Sequence, residues 1–220
     1  MTDAEFDQAL IASALQMAAD RGWAQVTVAA AARHADLPLD MARRRFPGRA
    51  AILLRLGLQA DEAAVTGMVT EAPVRETLFD MLMRRIDVFQ QHRAGVLALF
   101  EALPARPAAV LLLADATRRS MGWMLEAAGV STTGAIGALR VQGLVVVWLW
   151  TIRAWQRDDS LDLGQTMAAL DKALTQAERA APWLKLSSPE APPPAEPPAP
   201  PEPEPDIVVP TDIPPPPPEV

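Results

Sequence analysis

Hydrophobic positions along this chain recur every three to four residues, and alternating stretches are short. That period predicts helices rather than strands. Phe6, Leu10, Ala14, Met17 and Ala18 share one face of a first helix from about Ala4 to Arg21, which Gly22 ends as a C-cap. Thr27 is placed to cap a second helix, VAAAARHA, and Asp36-Leu37-Pro38 makes a turn. Pro38 suits the first turn of a third helix, LDMARRRF, which stops at Pro47. A fourth helix runs from near Arg49 to about Val69. Pro73 opens a fifth, with Val74, Leu78, Met81 or Leu82, Ile86 and Phe89 on one face, and His92 ends it. AGVLALFEAL forms a sixth, closed by Pro104 and Pro107, and a seventh extends to Gly129. Ser131, Thr132 or Thr133 can cap the eighth, which ends near Asp158-Asp159. Ser160 caps the ninth, with Asp162 in its first turn and Lys172 and Arg179 further on, the order a helix dipole favours. The expectation is an all-α body of about nine helices.

The eighth helix has a pattern of its own. From Leu144 to Ile152 no residue is charged, and only Thr151 is polar. Val141, Leu144, Trp148, Ile152 and Trp155 form one stripe; Gly143, Val147, Trp150 and Ala154 form a second. The run from Val141 to Trp155 is shorter than the roughly 18 to 20 apolar residues that span a bilayer. A helix that is apolar all round needs cover all round. The second face is expected to meet a second copy of the chain, an apolar ligand, or both, unless it is an ordinary central core helix.

Composition then divides the chain. Of 22 prolines, 16 follow Ser188, and residues 187–220 hold seven acidic side chains and no basic one. The net charge of −7 therefore belongs to that segment, and residues 1–186 are balanced. Such a tail is expected to be disordered or polyproline II. The division expected is 1–50, 51–186 and 187–220. There is no cysteine, hence no disulfide frame or thiolate chemistry. With two histidines, a histidine-rich metal site is not expected. No phosphate loop, G-x-S-x-G or H-E-x-x-H motif occurs, so an enzyme is not expected. The opening MTDAEFDQ lacks the basic and apolar segments of a signal peptide, which points to the cytoplasm.

Two short helices joined by a tight turn, after one longer helix, describe a helix-turn-helix. Residues 21–60 contain seven arginines against two aspartates, a charge suited to phosphates. The order DRGW, Thr27-Val28, Ala31-Ala32-Arg33-His34-Ala35, then Arg45-Phe46-Pro47 with Arg49 and Ile52 resembles the N-terminal domain of the TetR family. That resemblance implies a third helix read into the DNA major groove by a dimer. Thr27, Arg43, Arg44, Arg45 and Arg49 are the candidate DNA contacts. The segment departs from the family at Asp36-Leu37-Pro38 and Met41-Ala42-Arg43, and the family's phosphate-holding tyrosine and threonine are missing.

Residues 73–180 carry a second resemblance. RETLFDMLMRRIDVFQQHRAGVLALFEALP, RRSMGWMLEAAGV and AWQRDDSLDLGQTMAALDKAL look like the ubiquinone-biosynthesis accessory family whose mitochondrial members assist coenzyme Q hydroxylation. The most specific piece is Asp158 to Asp162 followed by Thr166 and Ala169-Leu170-Asp171. The resemblance implies a homodimer through the last two helices, an isoprenoid or quinone-type lipid held in a cavity, delivery to a hydroxylase, and transient contact with the inner face of the membrane. No cofactor beyond that lipid is implied. Met81, Met83, Met121 and Met124 suit a cavity wall, since thioethers adapt to irregular guests. From helical facing, the lipid-binding candidates are Phe79, Leu82, Met83, Met121, Met124, Leu125, Trp148 and Ile152. The leading expectation is a non-enzymatic lipid-binding accessory of ubiquinone biosynthesis on a TetR scaffold. The alternative is a DNA-binding regulator responsive to a hydrophobic ligand.

Overall fold

The computed structural model describes residues 1–68 and 72–180. Among them are nine α-helices and two short 3-10 turns, with no strand: α1 (Asp3–Arg21), α2 (Val28–His34), α3 (Leu39–Arg45), α4 (Arg49–Val65), α5 (Val74–Gln90), α6 (Arg93–Ala102), α7 (Pro107–Ala127), α8 (Gly134–Trp155) and α9 (Gly164–Ala180). The proline-rich tail expected over 187–220 lies outside the described residues.

Local chemistry fixes most boundaries. Thr2 and Glu5 form a reciprocal capping box at the start of α1. Thr27 Oγ1 accepts from Ala30 N at 3.1 Å and caps α2, as its position predicts. Pro38 sits one residue earlier than expected, as the N-cap of α3 rather than inside its first turn. Asp36 takes the turn at φ +53°, a left-handed conformation that a short polar side chain tolerates.

Further differences from expectation lie at α4, α8 and α9. α4 stops at Val65, short of Val69, because Thr66 leaves helical geometry and Arg84 of α5 captures Thr66 O. Thr133 occupies the N-cap position of α8 but makes no side-chain cap bond; its hydroxyl meets Ser131 Oγ at 2.9 Å. α9 begins at Gly164, not Ser160. The residues between form a loop around the buried Asp158, which accepts from the amide and hydroxyl of both Ser160 and Thr166. Thr166 N lies in the first turn of α9, so Asp158 caps that helix from eight residues away.

The packing is built around the apolar stripes. α1 lies on α2 and on α6, α4 on α5 and α7, and α8 along α9. Phe6, Leu10, Ala14 and Ala18 are all buried, and so are Leu78, Met81, Leu82, Ile86 and Phe89 of α5. The first stripe of α8 is buried throughout, from Val141 to Trp155. The second is not: Val147 is buried, but Trp150 is 56% exposed. Ile136, Leu139, Val146 and Leu149 are exposed with it. α8 also begins well before Val141, and its 22 residues give it the length and composition to cross a bilayer. Its buried stripe packs on the protein's own helices, the arrangement of a core helix with one uncovered side.

Candidate nucleic-acid interface and the core behind it

The helix-turn-helix is held by side chains from outside it. Ser13 of α1 donates to Ala31 O of α2 at 2.8 Å and lies 3.0 Å from His34 Nδ1. Asp7, buried on α1, receives Arg45 Nε and Nη2 of α3 at 2.6 and 2.8 Å. Arg55 of α4 reaches the same carboxylate at 3.1 Å. One carboxylate thus joins α1, α3 and α4, and a planar guanidinium fork fixes the angle between two of them. Its hydrogen bonds to Asp7, helped by Asp3, raise the pKa of Arg45 despite some burial.

This arrangement sorts the five candidate DNA contacts. Arg45, whose side chain is 19% exposed, turns inward to Asp7 and Asp3. It acts on the position of α3, and a phosphate would reach it only by breaking that pair. Arg49 donates to Ala24 O at 3.1 Å, tying α4 to the turn after α1. Thr27 is exposed and spends its hydroxyl on the α2 cap. Arg43 and Arg44 face outward. Arg43 donates to Pro47 O at 2.8 Å, and Arg44 pairs with Asp40 at 2.9 Å, both of the latter 68% exposed. An exposed pair of this kind is weak and exchanges readily for another anion. The outer face of α3 therefore presents Leu39, Asp40, Arg43 and Arg44.

The eight lipid-binding candidates converge on the core of the second half. Leu82, Met121, Met124 and Leu125 are almost fully buried, and Trp148 and Ile152 nearly so. Phe79 and Met83 are partly buried against the same cluster. The interior there is packed. Trp148 tilts against Phe89 at 5.9 Å between ring centroids. Space opens beside this set rather than within it. A cleft of about 410 Å³, counting its open mouth, runs between α5, α7, α8 and α9 over Leu78, Leu125, Leu144, Val147 and Leu174. Arg75 and Arg140 also line it. Of the eight candidates, only Leu125 borders this cleft.

Of four polar anchors, the sequence reading singled out only Asp158. Besides Asp7 and Asp158, Arg93 donates to Trp155 O at 2.8 Å and to Gln156 O at 3.4 Å, closing the C-terminus of α8 while its guanidinium lies 4.9 Å from the Trp155 ring centre. The fourth is Arg85, buried on α5 and joined to Asp61 of α4 and Ser120 of α7. The available signal was register: Asp7 and Arg85 fall within otherwise apolar helical stripes, where an unpaired charge is costly. No cluster of acidic or histidine side chains suited to a metal occurs among the described residues.

No family model matches the chain, and no curated protein does. The resemblance of residues 73–180 to the ubiquinone accessory family is thus without support from either comparison. Solved structures do match. A TetR transcriptional regulator from Nitrosomonas europaea is 19% identical, covering 80% of this chain and 99% of its own, with a TM-score of 0.64. One from a Rhodococcus species is 17% identical over 80% and 97%, with a TM-score of 0.57. One from Streptomyces coelicolor is 19% identical over 79% and 84%, with a TM-score of 0.55. With an N-terminal helix-turn-helix on α1 to α3 and a helical body behind it, this chain has the all-α fold of the TetR transcriptional regulators.

Proposed function

We propose that the protein is a homodimeric, non-enzymatic DNA-binding regulator that responds to a hydrophobic ligand. The observation that carries this reading is the division of labour among the arginines of α3. Arg45 is committed to Asp7 and holds the helix in place, while Arg43 and Arg44 point outward. A helix fixed from behind and basic in front is the form a major-groove reader takes. The exposed apolar strip of α8 supplies the second requirement, a surface for a partner copy, which would place two such helices on two half-sites. Residues 1–50 are the DNA-binding unit and residues 51–186 the ligand and dimer unit. Working on DNA, the protein acts in the cytoplasm.

The accessory role in ubiquinone biosynthesis is the weaker reading. The cleft between α5, α7, α8 and α9 is shallow and open to solvent, and of the eight lipid-binding candidates only Leu125 borders it. A lipid, hydroxylase or membrane contact rests on the sequence resemblance alone.

The test is fluorescence anisotropy on the DNA flanking the protein's own gene, over a range of salt. The expected result is one DNA bound in preference to random sequence, with affinity falling steeply as salt rises. Arg43→Ala with Arg44→Ala should weaken binding and flatten the salt slope by about two. A folded dimer with no preferred DNA, together with a ubiquinone deficit in a strain lacking the protein, would overturn this reading in favour of the accessory role.

A further inference from the structure

Arg85 places a charge in the buried core of the second half. Its side chain is 4% exposed. Both of its hydrogen bonds leave from Nη1, one to Asp61 Oδ1 of α4 and one to Ser120 Oγ of α7. Ser120 Oγ itself donates to Asp61 Oδ1 at 2.5 Å. The guanidinium carbon sits 4.7 Å from the ring centre of Trp148 on α8. Nε is buried with no hydrogen-bond partner. Burial pushes the pKa of this group down, and Asp61 pushes it back.

A buried arginine with one paired edge and one orphaned donor is a poor way to stabilise a helical core. An apolar residue of similar volume is commonly neutral or better, and an unsatisfied buried donor adds to the penalty. The Nε side is also the edge by which a guanidinium takes a carboxylate in a two-bond fork with Nη2. The surroundings match the rest of such a ligand. Met81 lies one turn before Arg85 on α5, and Met121 and Met124 lie one residue and one turn beyond Ser120 on α7; all three are buried, and methionine repacks around irregular guests. The apolar cleft opens on the same two helices, at Leu78 about two turns before Arg85 on α5 and at Leu125 one turn beyond Met121 on α7; Arg85 does not line it, so a carboxylate reaches Nε only as the side chains between repack.

We propose that Arg85 anchors the carboxylate of a small, otherwise apolar acid, and that this carboxylate competes with Asp61 for the guanidinium. The inference rests on the regulator reading and names its ligand class. Two carboxylates on one cation in a low-dielectric core repel, so the arriving acid weakens the hold on Asp61. Asp61 belongs to α4, the helix that Asp7 joins through Arg55 to the recognition helix. Loosening one end of α4 alters the position of the helix-turn-helix at the other. The signal is an exchange of ion-pair partners between two helices.

The experiment titrates the full chain with octanoate, benzoate and phenylacetate, and with octan-1-ol and benzyl alcohol as uncharged counterparts. Binding is read by calorimetry and by thermal unfolding. At least one acid should bind about tenfold more tightly than its alcohol. Arg85→Met paired with Asp61→Asn leaves no lone buried charge and should erase that preference. Asp61→Asn alone keeps the anchor, removes the competitor, and should tighten acid binding. Three results would overturn the proposal: no acid binds, acid and alcohol bind alike, or Asp61→Asn leaves acid binding unchanged or weaker. DNA binding is measured separately. Loss of the acid preference with DNA binding intact sinks this inference alone, and acid binding without DNA binding sinks the regulator reading alone.

Discussion

Arg45 meets Asp7 edge to edge, with Nε and Nη2 on the two carboxylate oxygens at 2.6 and 2.8 Å. The pair spans 38 residues of sequence and joins the third helix to the first. Asp7 is buried, so removing the guanidinium leaves a carboxylate with only Arg55 to balance it. Arg45→Ala should therefore destabilise the fold by about 3 kcal/mol. Arg44 is a contrasting case, since its pair with Asp40 is open to solvent. Arg44→Ala should change stability by no more than about 0.5 kcal/mol. Urea unfolding of both variants checks the contrast. Equal losses would mean that the Asp7 pair does not hold α3.

Much of the fold was legible in the sequence because helical periodicity and capping residues act locally. Thr27, Gly22 and the stripes of α1, α5 and α8 all stand where three- to four-residue spacing puts them. Two of the misplaced boundaries share one cause. The end of α4 depends on Arg84, 18 residues from the carbonyl it captures, and the start of α9 depends on Asp158, eight residues from the amide it accepts. No local rule reports a partner at that distance. In sequence the arginine triplet reads as one basic face for the same reason. Only the fold turns Arg45 inward and leaves its two neighbours facing out. The eight lipid-binding candidates chosen by helical facing pack into one core, yet facing cannot distinguish a filled interior from a lined cavity. The cleft lies beside them, with Leu125 on its border.

The Asp158 loop gives a pH prediction. Burial works against ionising this carboxylate, but hydrogen bonds from Ser160 and Thr166 outweigh it and bring its pKa from 3.8 to about 2. A carboxylate whose pKa is lower in the folded state stabilises that state above its unfolded pKa. The benefit fades as pH falls from about 4 toward 2. Asp158→Asn should lower stability at neutral pH by about 2 kcal/mol and remove this portion of the acid response. Thermal midpoints of wild type and variant between pH 2 and 7 should converge at the acid end. Parallel curves would show that the capping bonds do not set the titration.

Gly95 is placed where α6 crosses α1. A Cβ there would fall inside van der Waals contact with Leu15 O and Leu15 Cβ. The obstacle includes backbone carbonyl, which cannot rotate away as a long side chain could. Gly95→Ala should cost about 1 to 3 kcal/mol, the range for an overpacked core, despite alanine's better helix propensity. Gly57 of α4 provides the control, since a Cβ there meets nothing within 4 Å. Gly57→Ala should be stabilising by up to about 1 kcal/mol. Denaturant midpoints of opposite sign would confirm that α1 and α6 touch through backbone at Gly95.

The exposed strip of α8 makes the final prediction, on assembly. Leu139, Val146 and Trp150 recur at helical spacing, each at least half exposed, and Ile136 and Leu149 widen the strip. The regulator proposed above needs a partner copy, and an exposed apolar strip of this kind is where a partner copy would dock. A glutamate at Trp150 would be buried opposite its own copy across a two-fold axis, a like-charge contact with no partner. Trp150→Glu should shift the protein from dimer to monomer by light scattering. Because Trp150 lies outside the packed core, the helical content of the monomer should stay close to wild type. DNA affinity should fall with the dimer, since two half-sites would no longer be read together. A variant that remains a dimer would place the partner surface elsewhere on the fold.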